Sequence, residues 1–176
     1  FYKIGHFFIF IRNIFRKPEN YQIYKNQILR ELDVLGLGAI GITTFISIFV
    51  GAIIAIQTKF NITSPLTPKY LIGFATRESM ILEFSPTMIA LILAGKIGSR
   101  IASEIGSMRI TEQIDSLEIM GVNSISYLVL PKVIAAFLIF PFLVILSMIA
   151  GIFGGYIVAS LSGIFTTDQY IYGITY

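Results

Sequence analysis

The chain has 176 residues, 55% of them hydrophobic and only 13% charged, with a net charge of +3 and a mean hydropathy of +0.80. Soluble domains carry about 25% charged residues, so an ordinary soluble domain is excluded, and the lack of a polybasic tract argues against a nucleic-acid partner. There is no cysteine, which removes disulfides, thiolate metal sites and a cysteine nucleophile; His6, the one histidine, would have to serve any histidine site alone, so neither a metal nor a cofactor is expected.

Residues 1–17 place Ile4, Phe7, Phe8, Ile11 and Phe15 at helical spacing among Lys3, Arg12, Arg16 and Lys17. Such a basic, aromatic-rich amphipathic segment fits a helix in the membrane interface, or one packed on the rest of the protein. Its apolar run is too short, and too closely followed by basic residues, for a secretory signal peptide. Pro18 ends it, and residues 19–33 read as a polar linker.

Val34 to Thr58 carries no charge and is bracketed by Asp33 and Lys59. A helix of that length crosses an apolar core of about 30 Å with some tilt. Asn61 to Lys69, with Pro65 and Pro68, reads as a loop. Residues 70–98 form a second hydrophobic stretch interrupted by Arg77, Glu78 and Glu83. Its clean part, Phe84–Gly95, is too short to span alone. Either the helix crosses with charges inside it, or it breaks near Ser85 and Pro86.

Residues 99–131 are polar. Ile101, Ile105 and Met108 share one helical face, while Ile110, Ile114 and Leu117 share another, two residues out of register. This slip beside Gly106 predicts two short helices meeting at an elbow. Val133 to Thr167 is again uncharged, a third span of about residues 133–158 that Pro141 could kink and that offers Gly151 and Gly155 as a close-packing face. It is expected to continue into an outer loop near Gly163–Asp168. Six basic residues precede Asp33 against two in the 59–69 loop, which places the N-terminus in the cytoplasm and makes 99–132 cytoplasmic.

Glu83 is the first functional candidate, because an ionisable group within a span costs about 2.5–3.5 kcal/mol on insertion scales and usually faces a cavity or partner. The alternative is a structural pair with Arg77 or Lys96. Gln57, near the outer end of the first span, is a weaker candidate of the same kind. The elbow is the second, as a docking surface or as a solvated loop. Gly95-Lys96 does not complete a phosphate-binding loop, since Ala90 and Ile97 stand where Gly and Ser or Thr are needed. No ATP site and no enzymatic chemistry are therefore expected on this chain.

Residues 82–131 resemble the MlaE/YrbE family of ABC-transporter permeases. Glu83-Phe84-Ser85-Pro86 is similar to the family's Glu-Leu-Gly-Pro, and Ala94-Gly95-Lys96-Ile97-Gly98-Ser99 to its Ala-Gly-Arg-x-Gly-Ser. Glu104-Ile105-Gly106-Ser107-Met108-Arg109 and Thr111-Glu112-Gln113-Ile114-Asp115-Ser116-Leu117 look like its Ala-Glu-Ile-Gly-x-Met-Arg and Thr-Glu-Gln-Ile-Asp-Ala-Leu elements. Met120-Gly121-Val122-Asn123 and Leu130-Pro131-Lys132 continue the match.

The resemblance implies an all-α polytopic membrane protein: residues 1–33 as interfacial helix and cytoplasmic linker, residues 34–176 as the permease domain. It implies a homodimer in a bacterial inner membrane, working with two ATPase subunits and an MCE-domain protein to move phospholipid or another hydrophobic lipid. It makes 99–131 the coupling segment, with Glu104, Arg109, Glu112, Gln113 and Asp115 against the ATPase. It places Gln57, Glu83 and Phe84 in a lipid pocket lined by the first two spans. Leu82 stands where the family usually has Arg, Ser85 where it has Gly, and Ser103 where Ala is common. Family members have five spans against three here, so the chain is expected to be a fragment. Two other readings stand beside this one: a secondary transporter with Glu83 as its proton site, and a membrane scaffold that transports nothing.

Overall fold

The computed structural model describes residues 5, 21–62, 67–121, 124–163 and 165–176. Apart from Gly5, the proposed interfacial helix at 1–17 lies outside the described residues, as do Pro65 and the Val122-Asn123 step. The described chain is helical, with no strand among its residues. Helix α1 is Tyr21–Asn61 and α2 is Leu71–Ser79. A π-helical turn, Met80–Phe84, leads into α3, Ser85–Ile110. The short α4, Gln113–Ile119, precedes α5, Ser124–Ser162, and α6, Thr167–Thr175, closes the series. Three continuous helical segments, Tyr24–Asn61, Leu71–Ile110 and Ser126–Ser162, are long and apolar enough to cross a membrane.

The side-chain distribution is that of a protein solvated by lipid. On α1 the positions Leu35, Ala39, Thr43, Ser47, Gly51 and Ala55 recur every four residues and are buried, whereas Ile42, Phe45, Phe49 and Ile53 are exposed. On α5 the buried row is Leu143, Ser147, Gly151, Gly155 and Ala159, and the exposed row includes Phe142, Ile145, Ile149 and Phe153. Small residues face inward and large apolar ones outward, the arrangement by which helices pack in a bilayer without a hydrophobic driving force.

The second apolar stretch is one continuous helical segment, unbroken at Ser85-Pro86. Proline has no N–H to donate, and its ring crowds the carbonyl four residues earlier. The chain absorbs this in the π turn, where the Ser85 N–H donates to the Met80 carbonyl, five residues back. That one turn takes in an extra residue, and the helix carries on. Helix α5 likewise runs through Pro131 and Pro141. The elbow lies at Thr111-Glu112 and not at Gly106, which is inside α3. The first of the two anticipated short helices is thus the end of the 26-residue α3, and residues 124–131 belong to α5. The anticipated outer loop is brief, because α6 begins at Thr167.

The chain divides into two compact units, Phe1–Leu37 with Leu93–Ile139 and Gly38–Ile92 with Phe140–Tyr176. In the first, Tyr24, Val129 and Leu130 form a small core with Ile105, Tyr127, Leu128 and Ile134. Tyr24 meets the Tyr127 ring edge-on at 6.2 Å, and its hydroxyl shares a 3.3 Å hydrogen bond with Ser126 Oγ. The buried Lys132 ammonium lies 2.7 Å from Glu31 Oε1 and 2.6 Å from Glu104 Oε2, so one cation joins α1, α3 and α5.

In the second unit α1 and α5 cross at glycines. A Cβ on Gly51 would collide with the Gly151 carbonyl, and one on Gly154 with the Ile48 carbonyl. A 2.7 Å hydrogen bond between Ser47 and Ser147 spans the same crossing. Helix α6 folds back on α2, seating Gly73 against the Tyr170 carbonyl and Gly173 against that of Tyr70. Tyr170 is fully buried with Ala55, Ile72, Ala159 and Phe165, and its hydroxyl donates to the Ile152 carbonyl at 3.0 Å. Arg77 Nη1 donates to the Ile174 carbonyl at 2.8 Å and so ties the end of α6 to α2.

Candidate functional site

In the first unit the candidate site is the elbow. Helix α3 ends as the Thr111 hydroxyl donates to the Ser107 carbonyl at 2.9 Å. The next residue, Glu112, adopts φ 57 and ψ 16, the left-handed conformation. For an L-residue other than glycine that region costs roughly 1–2 kcal/mol, and strain of this kind clusters at functional positions. The turn is held by the Glu112 N–H on the Arg109 carbonyl at 3.3 Å and the Ser116 N–H on the Glu112 carbonyl at 3.1 Å.

Helix α4 has no buried residue. Arg109 Nη1 lies 2.7 Å from Asp115 Oδ1 across the elbow. Both side chains are more than half exposed, so the pair contributes only about 0–1 kcal/mol. Ile110 is 85% exposed, Ile119 87% and Met120 68%. They flank Glu112, Gln113 and Asp115 in a stretch too polar to face lipid. Apolar side chains are thus left bare beside charged ones at the elbow. Of the five residues expected at the coupling surface, the elbow brings together Arg109, Glu112, Gln113 and Asp115. Glu104 is turned instead to Lys132, five residues back along α3 from Arg109.

In the second unit Glu83, Phe84, Thr87 and Met88 line an open hollow of about 360 Å³ on one face of the helix. The π turn sets its geometry, because Glu83 and Phe84 lie in it and Thr87 and Met88 follow one α-turn later. Glu83 is exposed and has no ion pair or hydrogen bond among the described residues. Arg77 does not serve it: that guanidinium is held by Glu78 Oε1 at 2.7 Å, by the Ile174 carbonyl and over the Phe74 ring at 5.1 Å. The hollow thus takes in Glu83 and Phe84 together with Thr87 and Met88. Gln57 is exposed on α1 and is not among its lining residues.

The Lys132 cluster escaped the sequence reading. Its signal was present in part: Lys132 stands at the edge of an uncharged run, where a charge can pair at the apolar boundary. Nothing local linked Glu31 or Glu104 to it.

Long helices with outward apolar faces, a bare elbow between the second and third of them, and a lone carboxylate within a span define a multi-pass membrane protein of the permease class. Residues 28–176 match the family described as Permease MlaE, and the chain belongs to that family. It is 35% identical over 172 residues to a probable ABC transporter permease protein of Rickettsia bellii, covering 96% of this chain and 64% of the relative. A probable ABC transporter permease protein of Synechocystis is 35% identical over 141 residues, 79% of this chain and 52% of the relative. The chloroplastic protein TRIGALACTOSYLDIACYLGLYCEROL 1 of Arabidopsis thaliana is 33% identical over 130 residues, 74% of this chain and 37% of the relative. The chain thus spans about two thirds or less of the length of these relatives.

Proposed function

We propose that this chain is part of the membrane permease subunit of an ABC-type lipid transporter. It acts as a homodimer in a bacterial inner membrane, with its N-terminus in the cytoplasm. A separate ATPase docks on the elbow, and an MCE-domain protein receives or delivers lipid on the outer side. The chain itself performs no covalent chemistry. Lipid occupies the hollow at Glu83 and Phe84, and movement of the elbow under ATP-driven closure reaches the spans through α3. The observation that carries this reading is the elbow: a helix without one buried residue, strained at Glu112 and flanked by bare apolar side chains. The name of the Arabidopsis relative is that of a glycolipid, which supports a glycerolipid as cargo.

The test is charge reversal at Glu112 and Asp115 in the full-length protein. The Arg109–Asp115 pair contributes little to stability, so the double variant Glu112→Lys, Asp115→Lys is expected to insert and fold normally. It should lose most of its co-purifying ATPase. Recovery of the ATPase at the wild-type level would overturn the assignment of the elbow.

A further inference from the structure

The hollow at Glu83 has one carboxylate in its lining and no cation to balance it. The second unit holds three cations, Lys59, Lys69 and Arg77, and none of them lines the hollow. Lys59 lies in the last turn of α1. Lys69 precedes α2, and Glu83 stands about 18 Å of helix beyond Leu71. Arg77 is committed to Glu78 and to the Ile174 carbonyl. Glu83 and Thr87 are both exposed, and neither side chain has a hydrogen-bond partner among the described residues. Four positions apart, they share a face of the helix. Phe84 and Met88 form a parallel apolar pair one position on.

This lining sorts headgroups by their chemistry. A carboxylate only accepts hydrogen bonds, whereas a threonine hydroxyl both donates and accepts. An occupant that satisfies the two must therefore bring several donor hydrogens. It must bring no second negative charge, because like charges repel strongly where water is excluded. A phosphate fails on both counts: it repels Glu83, and Thr87 is the one side-chain donor in the lining. An aminoethyl phosphate offers N–H groups to Glu83 but leaves its own phosphate without a cation. Hydroxyls on an uncharged headgroup meet every demand. They donate to the two carboxylate oxygens, exchange hydrogen bonds with Thr87, and leave the apolar part of the lipid against Phe84 and Met88. The volume of about 360 Å³ falls within the range of about 300–1,000 Å³ of small-molecule sites. We infer that the hollow selects a phosphate-free lipid with a hydroxyl-bearing headgroup over a phospholipid. This rests on the lipid reading of the hollow and adds to it the chemistry of the cargo.

Native mass spectrometry of the full-length protein tests this, after stripping of lipid and dosing with one lipid at a time. The probes are monogalactosyldiacylglycerol, diacylglycerol, phosphatidylethanolamine and phosphatidylglycerol. Wild type should retain the galactolipid about ten-fold better than either phospholipid, the scale of one charge-assisted hydrogen bond. Glu83→Gln keeps the volume and removes the charge, and it should erase the preference over phosphatidylglycerol. Glu83 has no side-chain partner to lose, so this variant is expected to fold. Thr87→Val should lower galactolipid retention about three-fold, the scale of one neutral hydrogen bond, without admitting phosphatidylglycerol. Asp168→Asn, an exposed carboxylate outside the hollow, should leave the preference unchanged. Diacylglycerol held as well as the galactolipid would identify the glycerol hydroxyl as sufficient, whereas weaker retention would identify the sugar as the recognised group. If wild type retains no lipid at all, the lipid reading of the hollow falls and the inference with it. If lipid is retained but either phospholipid matches the galactolipid, or Glu83→Gln keeps the wild-type preference, the inference alone is overturned.

Discussion

Gly51→Val is expected to pull α1 away from α5 and to cost about 3 kcal/mol, the upper end for overpacking. The side chain at this position would point into the Gly151 carbonyl. A carbonyl is backbone and cannot rotate aside as a side chain would, so the helices must separate. Separation also breaks the Ser47–Ser147 hydrogen bond, since both hydroxyls lie on the same crossing. Interhelical hydrogen bonds in membranes average about 0.6 kcal/mol, so most of the loss is packing. The chain has no cysteine, which makes a clean crosslinking test available. Cysteines at positions 47 and 147 should oxidise to a disulfide in the parent and fail to do so once Gly51→Val is added. Complete crosslinking together with an unchanged unfolding midpoint in detergent would refute the expectation.

Lys132→Met should be at least as damaging, for a different reason. Its side chain is 5% exposed and faces carboxylates on two other helices. Methionine approximates its volume, but Glu104 would lose its ion pair and Glu31 would keep only Arg100, 3.8 Å away, among the described residues. Removing one partner of a buried ion pair costs about 3–5 kcal/mol. Neutralising the carboxylates as well, with Glu31→Gln and Glu104→Gln, should restore most of that loss, because the cost comes from uncompensated charge. Denaturant unfolding of the purified protein checks both arms. A loss below about 1 kcal/mol in the single variant, or no recovery in the triple, would show that the cluster does not hold the three helices together.

The spans were legible because hydropathy is additive along a chain: runs such as Val34–Thr58 declare themselves without knowledge of their neighbours. The elbow was legible in part. The slip between the Met108 and Ile110 faces announced a change of helix, but the break was expected at Gly106. Glycine in a helix interior costs only about 1 kcal/mol, and α3 tolerates it. The helix stops where the Thr111 hydroxyl captures a carbonyl and Glu112 turns left-handed, and neither residue type advertises that role. The π turn could be anticipated as a disturbance at Pro86, though not as the alternative to a break. What could not be read were the contacts between residues distant in sequence. Glu31 meets Lys132 across 101 positions, and no periodicity records a pairing of that kind. The same holds for α6, whose register against α2 depends on Gly73 and Gly173 meeting backbone.

The docking of α6 on α2 has a consequence for the order in which the protein is made. Arg77 and the Ile174 carbonyl that it holds are separated by 97 positions. During synthesis α2 therefore leaves the ribosome long before its partner exists. Until then its guanidinium has only the nearby Glu78 and the Phe74 ring to answer it. The charged start of the second span thus waits through 97 positions of synthesis for this native neighbour. Its final placement comes only after α5 has been threaded and α6 has closed over it.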